Sequence, residues 1–124
     1  MEADLTRTAA SHPALRLLVL FGSRAAGTAH AHSDWDIGFL AEDNLDTALL
    51  AAELAGALGT DDVDLVDLAA ASAVLRRDTA SNGRPLFERT GEWLEFRIEA
   101  ASFWCDVESV VRRAHADVLR TAAG

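Results

Sequence analysis

Two short patterns at a fixed separation constrain this chain more than anything else in it. Gly22-Ser23 ends the apolar run ALRLLVLF (Ala14–Phe21), ten residues follow, and Asp34-Trp35-Asp36 opens a second apolar run. An apolar run that stops at Gly reads as a buried strand entering a tight turn. Alternate side chains of a strand share a face. Asp34, Asp36, Gly38 and Leu40 therefore project to one side of the second run, and Trp35, Ile37 and Phe39 to the other. Gly, Ser, Asp and Asp at such offsets would arise by chance in roughly one in a thousand chains of this length at average residue usage.

The chemistry that needs these residue types is phosphoryl or nucleotidyl transfer, which rests on positioning and charge neutralisation. Gly22 at a strand end lets backbone approach a phosphate, because no side chain intervenes. Ser23 adds a hydroxyl, and the start of a short helix at Arg24–Ala26 adds amides. Two carboxylates one residue apart on one strand face can share divalent ions, and hard ions such as Mg2+ prefer oxygen ligands. Gly38 is expected to leave room for a ligand beside them. Asp64, on a later strand, is placed to complete the cluster or to accept a proton from an attacking hydroxyl.

The rest of the chain reads as a frame for that site. Ala3–Ala10 is a short helix stopped by Pro13. Leu45–Leu58 is an amphipathic helix with Leu45, Leu49, Ala52, Leu54 and Leu58 on its apolar side, ended by Gly59. Val63–Leu68 (VDLVDL) is a third strand, with Asp64, Val66 and Leu68 on one face and Leu65 and Asp67 on the other. Ala69–Ser81 is a helix stopped at Asn82-Gly83, and Pro85–Glu88 is a short fourth strand. Glu92–Ala122 has helical spacing with two apolar stripes. One runs through Trp93, Phe96, Ala100 and Phe103. The other runs through Leu94, Ile98, Ala101, Trp104 and Val111, and is either covered by the N-terminal helix or an interface for a partner. The fold class is α/β (α+β), a small mixed β-sheet covered by helices, and residues 1–124 form a single domain.

Composition narrows the partners. The formal charge is −9, and Lys is absent, so all 11 formal cations are Arg. That balance disfavours a nucleic-acid polymer, whose binding needs many cations. It suits a small substrate with metal-neutralised charge, or a basic protein partner. One cysteine, Cys105, gives no internal disulfide and reads as an inert helix residue. No apolar run reaches membrane-spanning length, and the first residues carry Glu2 and Asp4 rather than a secretory core, so the expected location is cytoplasmic.

The pattern GS-x10-DxD, Gly22-Ser23 to Asp34-Trp35-Asp36, resembles the nucleotidyltransferase superfamily typified by DNA polymerase beta. The short chain and VDLVDL are similar to its minimal nucleotidyltransferase (MNT) group, and the similarity runs from the first strand to the final long helix. The resemblance implies a polymerase-beta-like nucleotidyltransferase fold and Mg2+ held by Asp34, Asp36 and Asp64 as the catalytic carboxylates. It also implies ATP bound at Gly22, Ser23 and Arg24. Arg24 reads equally as an exposed structural arginine, and Ser23 as a helix cap, a role compatible with phosphate binding because both use the same amides. Asp67, on the opposite strand face, and Asp61 and Asp62 are weaker candidates for the third carboxylate. His30 and His32 read as solvated loop residues beside oxygen-type ligands. Trp35, facing away from the carboxylates, reads as a packing residue.

MNT proteins are often encoded beside HEPN proteins, small helical RNases, and where that pair is a toxin–antitoxin system the MNT partner acts as antitoxin. The resemblance thus implies an antitoxin that transfers AMP from ATP to a Tyr of a HEPN-type toxin, in a hetero-oligomer with it. Two alternatives stand beside this expectation. One is an antitoxin that acts by binding alone. The other is a small-molecule nucleotidyltransferase acting on an antibiotic hydroxyl, for which the chain offers no visible acceptor domain.

Overall fold

The computed structural model describes residues 2–27 and 34–123, with the side chains of these apart from positions 26, 106–109 and 117–123. His30 and His32 lie outside the described residues. The elements follow the expected order: α1 (Glu2–Ala10), β1 (Leu15–Phe21), α2 (Gly22–Ala26), β2 (Trp35–Ala41), α3 (Thr47–Leu58), β3 (Val63–Asp67), α4 (Ala73–Asn82), β4 (Arg84–Glu88) and α5 (Glu92–Ala123).

The strands form one sheet in the order β3-β2-β1-β4. β1 pairs antiparallel with both β2 and β4, whereas β2 and β3 are parallel. The parallel pair follows from α3, since parallel strands need a crossover connection. β1 is central, and all of its residues except Arg16 are buried. This is why its sequence is a continuous apolar run rather than an alternating one.

Each sheet face carries its own core. On one face Leu18, Leu20, Ile37 and Phe39 meet Leu5 and Ala9 of α1 and Leu50, Leu54 and Leu58 of α3. On the other, Leu17, Val19 and Leu68 meet Phe96 of α5, with Ala80 and Trp93 packed alongside. A register shift between Leu15 and Leu17 moves Leu15 onto the first face with Leu18 and Leu20. Each fully buried Leu contributes about 1.5–3 kcal/mol. The exposed Arg7–Asp4 pair on α1 contributes at most about 1 kcal/mol, so the two apolar layers dominate.

Three expectations are corrected. In α3 the buried side chains are Leu50, Leu54 and Leu58, whereas Leu49 is 48% exposed and Ala52 is exposed. The helix begins only at Thr47, where the Asp46 carboxylate caps it by accepting from the Leu49 amide at 3.0 Å. Leu45 therefore precedes the helix and does not set its stripe. Helix α4 starts at Ala73 rather than Ala69, because Asp67 draws the chain into a turn by accepting from the Ala69 amide at 3.0 Å, and Ser72 then caps the helix. Lastly, α1 packs with α3 on one sheet face while Phe96 of α5 packs on the other. The second α5 stripe is thus not covered by α1, and Leu94, Ile98 and Val111 stand exposed.

A polar knot joins β4 to α5 and ties both to β1. The Arg89 guanidinium donates to the Leu15 and His12 carbonyls, each at 3.0 Å. The buried Glu92 carboxylate accepts from the Arg89 amide at 2.9 Å and the Thr90 hydroxyl at 2.8 Å, and pairs with Arg16 at 2.9 Å. Burial opposes its ionisation, but the hydrogen bonds from Thr90 and the neighbouring amides outweigh that and hold its pKa down at about 2, against an ordinary 4.5. A lowered carboxylate pKa stabilises the fold above the unfolded value, and that gain is lost as pH falls from about 4.5 toward 2. Glu92→Gln is expected to lower unfolding free energy at pH 7 by about 1–3 kcal/mol. It should also flatten the stability loss between those two pH values, read by urea unfolding across a pH series.

Candidate active site

The site forms where β1 ends. Phe21 and Asp36 are register partners across the antiparallel pair, so the turn after Phe21 lies beside the start of β2. Gly22 takes φ +72, a left-handed conformation that favours glycine. A Cβ there would sit 2.2 Å from Asp36 Oδ2. Gly22 is thus required twice, by its backbone angle and by the carboxylate pressed against it. Helix α2 starts at once, and Gly27 closes it in the left-handed conformation, donating to the Ser23 carbonyl. Phe21 occupies the cap position with no side-chain cap bond. Ser23 therefore lies inside the first turn, and the reading of it as a helix cap is set aside.

Asp64 joins the site through the parallel pair, in which Asp36 and Asp64 are register partners. Partners in register point to the same face, so both carboxylates stand on the α4/α5 side of the sheet. Asp34, exposed just before β2, completes the group. Leu65 packs on the opposite face, which sends Asp67 there too; its carboxylate is taken by the Ala69 amide. A cleft of about 250 Å3 is lined by Asp34, Asp61, Asp62, Val63 and Asp64. Asp61 and Asp62 are thus neighbours of the cleft, a proximity that strand periodicity does not reveal because they precede β3. The Asp62 carbonyl also accepts from the Trp35 amide at 2.8 Å, closing β2 against the approach to β3.

Electrostatics mark Asp36 as the centre. Its pKa is raised above the ordinary 3.8, by burial first and then by the charges of Asp64 and Asp34. Three mutually repelling carboxylates with only oxygen donors fit a hard divalent cation, which relieves that repulsion. Among the described residues no three such groups converge into a ready-made cage.

Two residues differ from expectation in what they touch. Gly38 does not border a ligand space: a Cβ there would meet the Leu68 side chain at 2.8–2.9 Å. Its missing side chain makes room for Leu68 in the core. Arg24 follows the glycine turn, and its guanidinium lies 4.2 Å from the centre of the Trp35 ring. Trp35 packs on the α1/α3 face as expected, so this stack lies across β2 from Asp36. A wider hollow of about 480 Å3 runs along α4 between Ser72 and Asn82. It holds one carboxylate, Asp78, which already accepts from the Asn82 amide group at 2.9 Å, and it has no acidic cluster.

Comparison with known proteins agrees with this geometry. Residues 3–92 match the family described as polymerase beta, nucleotidyltransferase. The protein adenylyltransferase MntA of Shewanella oneidensis is 38% identical over 114 residues, 90% of this chain and 81% of its own. The MntA of Aphanizomenon flos-aquae is 37% identical over 92 residues, 64% of this chain and 61% of its own. Among solved structures, a toxin–antitoxin crystal structure with AMP-PNP aligns with a TM-score of 0.76 at 35% identity, covering 95% of this chain and 98% of that one. A structure of the tri-AMPylated Shewanella oneidensis HEPN toxin in complex with MNT antitoxin aligns with a TM-score of 0.68 at 32% identity, covering 95% of each chain. No helix of the described residues is long and apolar enough to cross a membrane. The chain belongs to the polymerase beta nucleotidyltransferase family and, within it, stands with the MntA protein adenylyltransferases.

Proposed function

We propose that this chain transfers AMP from ATP to a tyrosine hydroxyl of a HEPN-type toxin and thereby silences it. The observation that carries the reading is the alignment of Asp36 with Asp64 in one register, with Asp34 beside them and Gly22 against the Asp36 carboxylate. Its support from relatives is that one similar structure holds AMP-PNP and another holds an AMPylated HEPN toxin.

In this reading the Gly22–Ser23 turn holds the triphosphate through backbone amides and the Ser23 hydroxyl. Asp34, Asp36 and Asp64 hold Mg2+, which when bound neutralises charge on the phosphates. Asp64 also takes the proton of the acceptor hydroxyl. The hydroxyl oxygen then bonds to the α-phosphorus, the bond from that phosphorus to the β-phosphate bridge breaks, and pyrophosphate leaves. We place this reaction in the cytoplasm, where ATP is abundant.

The test is transfer of label from α-labelled ATP to a co-purified HEPN partner. Asp36→Ala and Asp64→Ala should each lower it at least 100-fold, and undiminished transfer would refute the reading. An Asp34/Asp36/Asp64→Asn triple variant that still silences the toxin fully would instead favour neutralisation by binding.

The carboxylate group also has a consequence for the protein without ligand. Because the folded-state pKa of Asp36 is raised, its ionisation destabilises the folded state above that pKa, and the folded state gains stability as pH falls through it. Asp36→Asn removes the repulsion. It should raise the unfolding midpoint by roughly 2–5 °C in divalent-free buffer at pH 7, measured by calorimetry, while abolishing transfer.

A further inference from the structure

Arg24 and Trp35 sit in the two halves of the site motif, one just after the Gly22-Ser23 turn and the other between the two aspartates. The Arg24 guanidinium carbon lies 4.2 Å from the indole centre. Trp35 is itself held from three directions. Its side chain packs against the α1/α3 core, its amide donates to the Asp62 carbonyl at 2.8 Å, and it is in register with Val63 of β3. The indole is therefore a fixed platform, and whatever stacks on it inherits its position.

We propose that the Arg24–Trp35 stack is a positioning device that fixes the Gly22–Ser23 turn relative to the Asp34, Asp36 and Asp64 carboxylates. Helix α2 has only five residues and no side-chain cap at its start, so it has little intrinsic stability of its own. It must be held by what it touches. Arg24 reaches across β2 to the face opposite the Asp36 carboxylate, which clamps α2 to the strand from the side away from the chemistry. Indole is the ring best suited to a cation, and the planar guanidinium stacks on it where an ammonium does not. The demand on position is severe, because a displacement of about 1 Å between reacting groups can lower a rate about 100-fold. In this assignment Arg24 acts through placement of the turn and makes no triphosphate contact.

The proposal rests on the nucleotidyl-transfer reading for its catalytic consequence, so two measurements are paired. The first is hydrogen exchange of the Gly22–Ala26 amides in the free protein, which needs no activity. Trp35→Leu and Arg24→Ala should each speed it at least 10-fold, while Trp35→Phe, which keeps a ring, should stay within about 3-fold of wild type. Unchanged exchange in Trp35→Leu would overturn the stack. The second is steady-state AMP transfer with Asp36→Ala as the inactive control. Trp35→Leu and Arg24→Ala should each lower kcat about 10-fold with KM for ATP within about 2-fold. Their double variant should be no worse than Arg24→Ala alone, because the stack is already lost in that single variant. Arg24→Lys, which keeps the charge but not the planar stack, should fall between wild type and Arg24→Ala.

Additive losses in the double variant, or a KM for ATP raised about 10-fold by Arg24→Ala alone, would overturn the assignment in favour of a direct triphosphate contact. If Trp35→Leu fails to fold, as judged by urea unfolding, the Arg24 variants and Trp35→Phe decide the matter in both assays. If wild type transferred no AMP, the function reading would fall, and the exchange comparison would still decide the pair.

Discussion

The register between β1 and β2 is the constraint on which the rest depends. Phe21 opposite Asp36 brings the glycine turn and the acidic strand together at one end of the sheet. A one-residue slip would turn Asp36 into the α1/α3 core and carry Ile37 and Phe39 to the opposite face, away from the α1/α3 side chains they pack with. The register is fixed by apolar burial: Leu18, Leu20, Ile37 and Phe39 must all face that core at once. Several such burials at about 1.5–3 kcal/mol each outweigh the local destabilisation at the site. The apolar layer on one face thereby sets the geometry of the carboxylates on the other.

The same logic explains how the site tolerates its charge. Asp34 and Asp64 are exposed, and Asp36 is half-buried. Repulsion among them therefore raises the Asp36 pKa without demanding that three carboxylates be fully desolvated. Glu92 shows the opposite solution. It is buried, yet its pKa is lowered, because amide and hydroxyl donors from Arg89 and Thr90 surround it and Arg16 pairs with it. One carboxylate is satisfied by the protein and serves as a fastener. In the proposed reading the others are left for an external cation and ligand, which is the usual trade between stability and function.

Much of this was legible in the sequence, for reasons that can be named. The element order follows from apolar runs and their punctuation by Gly22, Gly27, Gly59 and Asn82-Gly83. The strand period separates Asp64 from Asp67 onto opposite faces, and the parallel pairing sets Asp64 in register with Asp36. The misses share another cause. Leu45 fits the apolar spacing of α3, yet Asp46 is the cap and only residues from Thr47 are helical. The late start of α4 depends on an Asp67 turn bond that periodicity does not encode. The Arg24–Trp35 stack joins residues from two segments whose approach depends on strand register, so no local pattern contains it.

Gly38 shows how a residue can serve the site without bordering it. Its position on the carboxylate face invites a reading as ligand space, yet its nearest neighbours are the side-chain carbons of Leu68. Leu68 follows directly on β3, its amide donates to the Phe39 carbonyl at 3.0 Å, and its side chain is fully buried with Leu17, Val19 and Phe96. Folding Leu68 over a strand position that has no Cβ locks β3 along β2. A slip of β3 by one residue would present a different side chain at Gly38 and would carry Asp64 to the other face. The register that pairs Asp64 with Asp36 is therefore enforced from the far end of the strand by a glycine–leucine contact. Only the resulting alignment, and no direct contact, links that core pair to the chemistry.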